Sequence, residues 1–152
     1  MTKLGHAESF RDLVVYKNAR KLAKSIFELT KSFPKEEMYS LTDQVRRSSR
    51  SIGAQIAEAW AKRRYKKHFI SKLTDADGEQ QETQHWIETA EDCRYLSPEQ
   101  TQKLNSALYE IGRMINSMIN KADLFCDKRY SRRRSTHTCR PGAGSPASRD
   151  SA

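Results

Sequence analysis

Apolar residues recur every three or four positions over most of the chain, which is the spacing of helices that bury one face. Four stretches show this pattern, and residues typical of helix termini separate them. The predicted helices run from Ser9 to Phe33, from near Ser40 past Trp60, from about Tyr65 to Cys93, and from Ser97 to Phe125.

Two of the helix starts carry explicit capping signals. Ser9 is followed three residues later by Asp12, the spacing of a capping box. Ser97 stands before Pro98, and proline is favoured at the first position of a helix because its missing N–H is not needed there. The fourth helix therefore has the clearest start in the chain.

Each stretch predicts one buried stripe, and in the second helix the stripe alternates with small residues that allow close helix approach. Glycine and proline are too scarce before residue 127 for a fold built from many strands and turns. Four such helices with short connections predict an all-α, antiparallel up-and-down four-helix bundle. The predicted inward residues are Leu41, Val45, Ser48, Ile52, Ile56 and Trp60 in the second helix, Phe69, Leu73, Ala76, Thr83, Trp86 and Ala90 in the third, and Leu104, Leu108, Ile111, Ile115, Met118, Ile119, Ala122 and Phe125 in the fourth.

The length of 152 residues suits a single domain. We expect a flexible N-terminus at 1–8, the bundle at 9–127 and a disordered basic tail at 128–152, where Gly, Pro, Ser and Arg dominate. No apolar run approaches the roughly 20 residues of a membrane-spanning helix, and residues 1–6 lack the apolar core of a secretory signal. Three widely spaced cysteines do not suggest a disulfide framework, so a reducing cytoplasm is the expected location.

The formal net charge of +9 is unevenly distributed along the chain. The predicted tail at 128–152 holds seven Lys or Arg against one Asp, so it accounts for most of the excess. Within the predicted bundle, residues 44–72 carry nine basic side chains against one acid, whereas residues 73–99 carry eight acids against one base. The second and third helices are therefore oppositely charged.

Two interpretations of this polarity remain open. In the first, Arg46, Arg47 and Arg50 share one helix face and form the start of a surface that attracts the phosphates of RNA or DNA. In the second, the basic and acidic stretches pair with each other, within one subunit or between subunits, and the protein is an assembly or docking module with no direct role in nucleic-acid binding. The candidate nucleic-acid-binding residues are Arg46, Arg47, Arg50, Lys62, Arg63, Arg64, Lys66 and Lys67.

Other polar groups suggest structure rather than chemistry. We expect Glu58 to lie at the edge of the buried stripe, in a structural polar network with Gln44, Ser51 and Gln55. Glu82 and His85 form one Glu-x-x-His motif, but a di-metal bundle needs two of these motifs and two further glutamates. No nucleophile motif or phosphate-binding glycine loop occurs, so we expect no enzyme activity, no catalytic residues, no metal site and no cofactor.

The sequence also resembles a family of bacterial four-helix bundle proteins, the ribosomal RNA intervening-sequence proteins, over roughly 10–122. The matching segments are Phe10-Arg-Asp-Leu-Val-Val-Tyr16, Phe33-Pro34 with Glu37, Tyr39 and Leu41, Gln44-Val-Arg-Arg47, Ser51-Ile52, Ile56-Ala57-Glu58, Ala76-Asp-Gly78 with Glu82, and Tyr95-Leu96. The resemblance implies a helical bundle that assembles as a homopentamer with a basic surface. It also implies a kinship with accessory proteins of diversity-generating retroelements, which bind a reverse transcriptase and its template RNA.

Overall fold

The computed structural model describes residues 6–126, and every regular element in that range is helical. Four long helices form a bundle in which each helix contacts the next and the first also contacts the fourth. They are α1 (Val14–Thr30), α2 (Leu41–Ala61), α3 (Lys66–Asp92) and α4 (Pro98–Asn120), followed by the four-residue helix α5 (Ala122–Phe125). The all-helical bundle is confirmed. The predicted tail at 128–152 and most of the predicted flexible N-terminus lie outside the described residues.

The first helix begins later than the sequence predicts. The capping box at Ser9 and Asp12 is present, but it caps a single 3-10 turn at Phe10–Asp12. Leu13 then adopts an extended conformation, with φ −67° and ψ 126°, and this interrupts the helical path before α1 starts. A capping box satisfies the free N–H groups of one turn only, so it does not determine whether the chain continues as an α-helix.

One face of each long helix fills the core. In α2 the predicted stripe is buried from Leu41 to Ile56, while Trp60 is only half-buried. In α3 the predicted inward Trp86 is also half-buried, and Ile87 is the buried neighbour. The Trp86 indole N–H donates to the Glu82 carboxylate at 3.1 Å, so the ring stays at the rim of the core where its polar edge has a partner.

The turn between α3 and α4 contains a left-handed residue other than glycine. Arg94 has a φ of 61°, and its N–H donates to the Glu91 carbonyl at 2.8 Å. The N–H of Tyr95 donates to the Ala90 carbonyl, also at 2.8 Å, which completes a Schellman motif at the end of α3. The chain then enters α4 at the predicted N-cap, Ser97. Ser97 and Gln100 form a capping box, and Pro98 between them occupies the first helical position.

The fourth helix stops before the end of its predicted stripe. α4 ends at Asn120, and α5 turns away so that Phe125 stacks on Phe69 of α3 with ring centroids 5.8 Å apart. The Lys66 ammonium of α3 lies 2.8 Å from the Asp123 carboxylate of α5. These contacts place the end of α5 at the same end of the bundle as the α2–α3 turn.

A Gly78→Ala variant should be more stable than the unaltered protein by roughly 0.5–1 kcal/mol, because glycine in a helix interior costs conformational entropy. A methyl group at Gly78 would meet no atom within 4 Å, whereas one at Gly112 would lie 2.9 Å from the amide nitrogen of Gln80. Gly112→Ala is therefore the matched control, in which the displaced Gln80 amide offsets the helical gain. Urea unfolding midpoints measure both, and a lower midpoint for Gly78→Ala would contradict the prediction.

Candidate nucleic-acid interface

The three arginines near the start of α2 have different surroundings. The half-buried Arg46 lies at the seam with α1, where its Nε donates to the Thr30 hydroxyl at 2.8 Å and its guanidinium lies 4.8 Å from the centre of the Phe27 ring. The exposed Arg50, one turn further on, also lies over Phe27, at 5.7 Å. Arg47 is exposed on the other side and lies 3.6 Å from the Asp43 carboxylate. Arg46 and Arg50 therefore lie together against α1, Arg47 lies apart from them, and Arg46 also helps to join α1 to α2.

A groove of about 490 Å³ runs between α1 and α2. Six small residues and three aromatic rings line it, and its charged lining residues, Arg20, Lys24 and Arg50, are all basic. We call this feature the basic groove. Its full lining is Phe10, Tyr16, Ala19, Arg20, Ala23, Lys24, Phe27, Ser49, Arg50, Gly53, Ala54 and Ala57.

Sequence reasoning missed the contribution of α1 to this groove. Arg20 and Lys24 are four positions apart, so the sequence alone indicates that they lie on the same face of α1. They lie outside the basic stretch at 44–72, and the sequence does not show which face of α1 meets α2. The tertiary structure brings them beside Arg50.

The second group of predicted basic residues lies around the α2–α3 turn. Lys62, Arg64, Lys66 and Lys67 are exposed there. Arg63 is half-buried, because its Nε donates to the carbonyl of Trp60 at 2.8 Å and its guanidinium carbon lies 3.5 Å from the centre of the Trp60 indole. The eight predicted binding residues are thus divided into two groups. Three lie in the first half of α2, and five lie around the α2–α3 turn at one end of the bundle.

The predicted polar network around Glu58 has a partner on another helix. Glu58 is exposed, and its carboxylate lies 3.0 Å from the Lys72 ammonium of α3, which also donates to the Gln55 amide oxygen at 3.3 Å. The hydrogen bond that Lys72 donates to the Glu58 carboxylate raises the pKa of Lys72. Within residues 6–126, no side-chain hydrogen bond joins the exposed Gln44 or the half-buried Ser51 to this group.

The acidic stretch of α3 lies mainly on the surface. Within the described range, the basic stretch at 44–72 and the acidic stretch at 73–99 form an ion pair at Lys72, whose ammonium lies 3.4 Å from the Asp75 carboxylate. Further along α3, desolvation of the half-buried Glu79 raises the pKa of its carboxyl group, and the nearby Glu82 adds to the effect. Among residues 6–126, the remaining acidic side chains of this stretch form no ion pair, so they leave a negative surface on α3.

The Glu-x-x-His motif of α3 has local partners. The Glu82 carboxylate accepts from Trp86, and the His85 ring packs against the Trp86 ring with centroids 4.7 Å apart. Across residues 6–126, no group of three or more His, Cys, Asp or Glu side chains lies close enough together to hold a metal ion. No helix in the same range combines the length and the apolar character needed to cross a membrane.

The fold and the site together define a small all-helical bundle with basic side chains along one groove and one end. The model of the 23S rRNA-intervening sequence protein family matches residues 11–117. A protein of unknown function from the S23 ribosomal protein family of Bacteroides thetaiotaomicron, known from a crystal structure, is 32% identical. The match covers 70% of this chain and 96% of that chain, with a TM-score of 0.65. No curated protein matches. The chain belongs to the 23S rRNA-intervening sequence protein family.

Proposed function

We propose that this protein is a non-enzymatic, cytoplasmic accessory protein that binds RNA through the basic groove and the neighbouring basic residues of α2. The observation that carries the proposal is that the charged lining of the groove is uniformly basic, with Arg20 and Lys24 from one helix facing Arg50 from the next. Cations on both sides of a groove can contact neighbouring phosphates, and counterion release then supplies much of the affinity. The six small residues of the lining leave room for a backbone between these cations.

The proposed architecture is an antiparallel up-and-down bundle that assembles as a homopentamer. Contacts between helices support the antiparallel part, because residues late in one helix meet residues early in the next. Ser48 of α2 bonds to Thr83 of α3, while Glu58, ten positions later in α2, pairs with Lys72, which precedes Thr83 in α3. A pentamer would bring several basic grooves together around one axis. Such an assembly could hold an RNA in its complex with a reverse transcriptase.

Salt dependence of RNA binding tests the proposal. The full-length chain should carry Lys128→Ser, Arg129→Ser, Arg132→Ser, Arg133→Ser, Arg134→Ser and Arg140→Ser, which leave Arg149 balanced by Asp150 and the tail without net charge; we call this variant the tail-neutral protein. It should bind a duplex RNA of about 16 base pairs at micromolar concentration, with an affinity that falls steeply with salt. Adding Arg20→Gln, Lys24→Gln and Arg50→Gln should lower the magnitude of the slope of log affinity against log salt by about 3.

A matched control keeps the net charge of that variant. Lys35→Gln, Lys103→Gln and Arg113→Gln remove three exposed basic residues outside the groove, and the salt slope should then remain close to that of the tail-neutral protein. Absence of RNA binding by the tail-neutral protein would refute the proposal. An equal loss in the groove variant and the control would refute the assignment to the groove.

The alternative function is a protein assembly or docking module, and the acidic surface of α3 favours it. That surface is complementary in charge to the basic groove, so one subunit could dock on another. Light scattering on a single sized peak distinguishes the two functions. If the three groove substitutions dissociate the oligomer and leave RNA affinity per subunit unchanged, the charges serve assembly. A monomeric unaltered protein would contradict the proposed pentamer.

A further inference from the structure

One end of the bundle combines exposed aromatic rings with basic side chains. Tyr65 lies at the N-terminus of α3 and is 39% exposed, and its ring centroid is 5.3 Å from that of the exposed His68. The guanidinium of Arg64 lies 6.0 Å from the centre of the Tyr65 ring. We call Trp60, Arg63, Arg64, Tyr65 and His68 the aromatic end. Phe69, the next aromatic residue, is fully buried and belongs to the core.

A second flat surface lies two residues before Tyr65. The Arg63 guanidinium is held over the Trp60 indole at 3.5 Å, and the bond from its Nε to the Trp60 carbonyl fixes its position. A guanidinium plane held in this way is a surface on which a nucleobase can stack, as an aromatic ring is. The loss of side-chain freedom on binding is small, because the contacts within the protein already restrict the arginine.

The basic groove leads to this end. Arg50, Gly53, Ala57 and Trp60 follow one another at intervals of three or four in α2, so they lie on one stripe of the helix. The first three line the groove, and Trp60 continues the stripe by one turn to the turn that carries Arg63. From Arg50 to the end of α2 at Ala61 the rise is about 16 Å. A nucleic-acid backbone in the groove would therefore meet the aromatic end within a few nucleotides.

The charge at this end also suits a polyanion. Lys62, Arg63, Arg64, Lys66 and Lys67 occur within six positions without an intervening acid. Among the described residues, Asp123 is the acidic residue that pairs with one of these five basic side chains. Its carboxylate lies 2.8 Å from the Lys66 ammonium. Phosphates can thus be neutralised beside rings that can stack on bases.

We infer that the aromatic end binds unpaired nucleotides, with one base stacking on Tyr65 and His68 and a neighbouring base stacking on the guanidinium of Arg63. The inference rests on the proposed function, and it specifies the substrate as RNA with a single-stranded segment next to the part held in the groove. Bases inside a duplex are stacked on each other and do not expose their faces, so this end should discriminate in favour of single strands. Stacking is tolerant of sequence, since every base has a flat face.

The test compares two single strands that differ only in their bases. The tail-neutral protein is titrated with an adenosine oligonucleotide of about 12 residues and with an abasic strand of the same length and charge. The adenosine strand should bind more tightly by about 5-fold to 100-fold. Tyr65→Ala should lower that preference and leave the part that is due to stacking on Arg63, whereas Tyr65→Phe should retain the preference in full because the ring face is kept. Neither substitution should change the affinity for the abasic strand or for duplex RNA.

A fluorescent base checks the result without a substitution. When 2-aminopurine replaces an adenine in the strand, stacking on the protein should change its emission on binding, which does not depend on the folding of a variant. Equal affinity of the adenosine and abasic strands, with unchanged emission, would overturn the inference and leave the proposed function intact. If no RNA, duplex or single-stranded, binds the tail-neutral protein, the proposed function fails first and the inference fails with it. If the preference for bases is as large in Tyr65→Ala as in the tail-neutral protein, stacking on Tyr65 is refuted.

Discussion

A Phe69→Ala variant is expected to lose about 3–5 kcal/mol of unfolding free energy, the usual cost of truncating a buried phenylalanine to alanine. Phe69 is fully buried near the start of α3, and Phe125 of α5 stacks on it. Removal of the ring leaves a cavity and takes away the surface that holds α5 against the bundle. Tyr65 of the aromatic end lies one turn before Phe69, whose N–H donates to the Tyr65 carbonyl at 3.0 Å, so we expect the geometry of that end to depend on the packing of Phe69.

Urea unfolding followed by circular dichroism measures this loss. Tyr109→Ala is the matched control, because Tyr109 is 58% exposed and its truncation should change the stability by less than about 0.5 kcal/mol. A loss below about 1 kcal/mol in Phe69→Ala would show that α3 and α5 are not packed as described. A loss that also lowers the denaturant slope would indicate a change in the compactness of one of the states.

Thr83→Val should cost about 1–3 kcal/mol, even though the two side chains have nearly the same shape. The Thr83 hydroxyl is fully buried, lies 2.9 Å from the Ser48 hydroxyl of α2 and lies 2.7 Å from the Glu79 carbonyl of its own helix. Valine would leave the buried Ser48 oxygen with only a long contact to the Val45 carbonyl, at 3.4 Å. A buried hydroxyl that lacks a good partner pays its desolvation cost in full.

A double variant shows whether the stability loss in Thr83→Val comes from the Ser48–Thr83 hydrogen bond or from packing. Ser48→Ala combined with Thr83→Val removes both hydroxyls, so no unsatisfied group remains between the helices. The double variant should lose less than the sum of the two single variants, with a coupling of about 1 kcal/mol. Strict additivity of the two losses in thermal or urea unfolding would show that the two hydroxyls do not interact.

The Ser48–Thr83 pair bears on function because it helps to set the register of α2 against α3. In this register the Lys72 ammonium reaches both Glu58 and Gln55, and the α2–α3 turn lies beside α5. A shift of one turn would separate Lys72 from both partners. The polar contacts between α2 and α3 therefore position the basic residues at the end of the bundle, while the apolar core supplies most of the stability.

The sequence predicted those features that depend on neighbouring residues. The N-cap at Ser97, the proline at the first position of α4 and the spacing of Leu104 and Leu108 are local properties, and each was found where it was expected. The same reasoning identified the family, because its motifs are runs of adjacent residues. The sequence-based prediction was wrong at two places where the local pattern fits two arrangements. The capping box of Ser9 caps a 3-10 turn rather than α1, and Ile87 rather than Trp86 is buried in the core.

The sequence by itself determined that this protein is a bundle of four amphipathic helices with a basic second helix and an acidic third one. Only the tertiary structure decided that Arg20 and Lys24 lie across a groove from Arg50, that Lys72 of α3 is the partner of Glu58, and that Tyr65 lies beside His68 while Phe69 is buried. The physical reason is that helical periodicity identifies which face of a helix is buried, but only the packing of the other helices determines what the edges of that face meet.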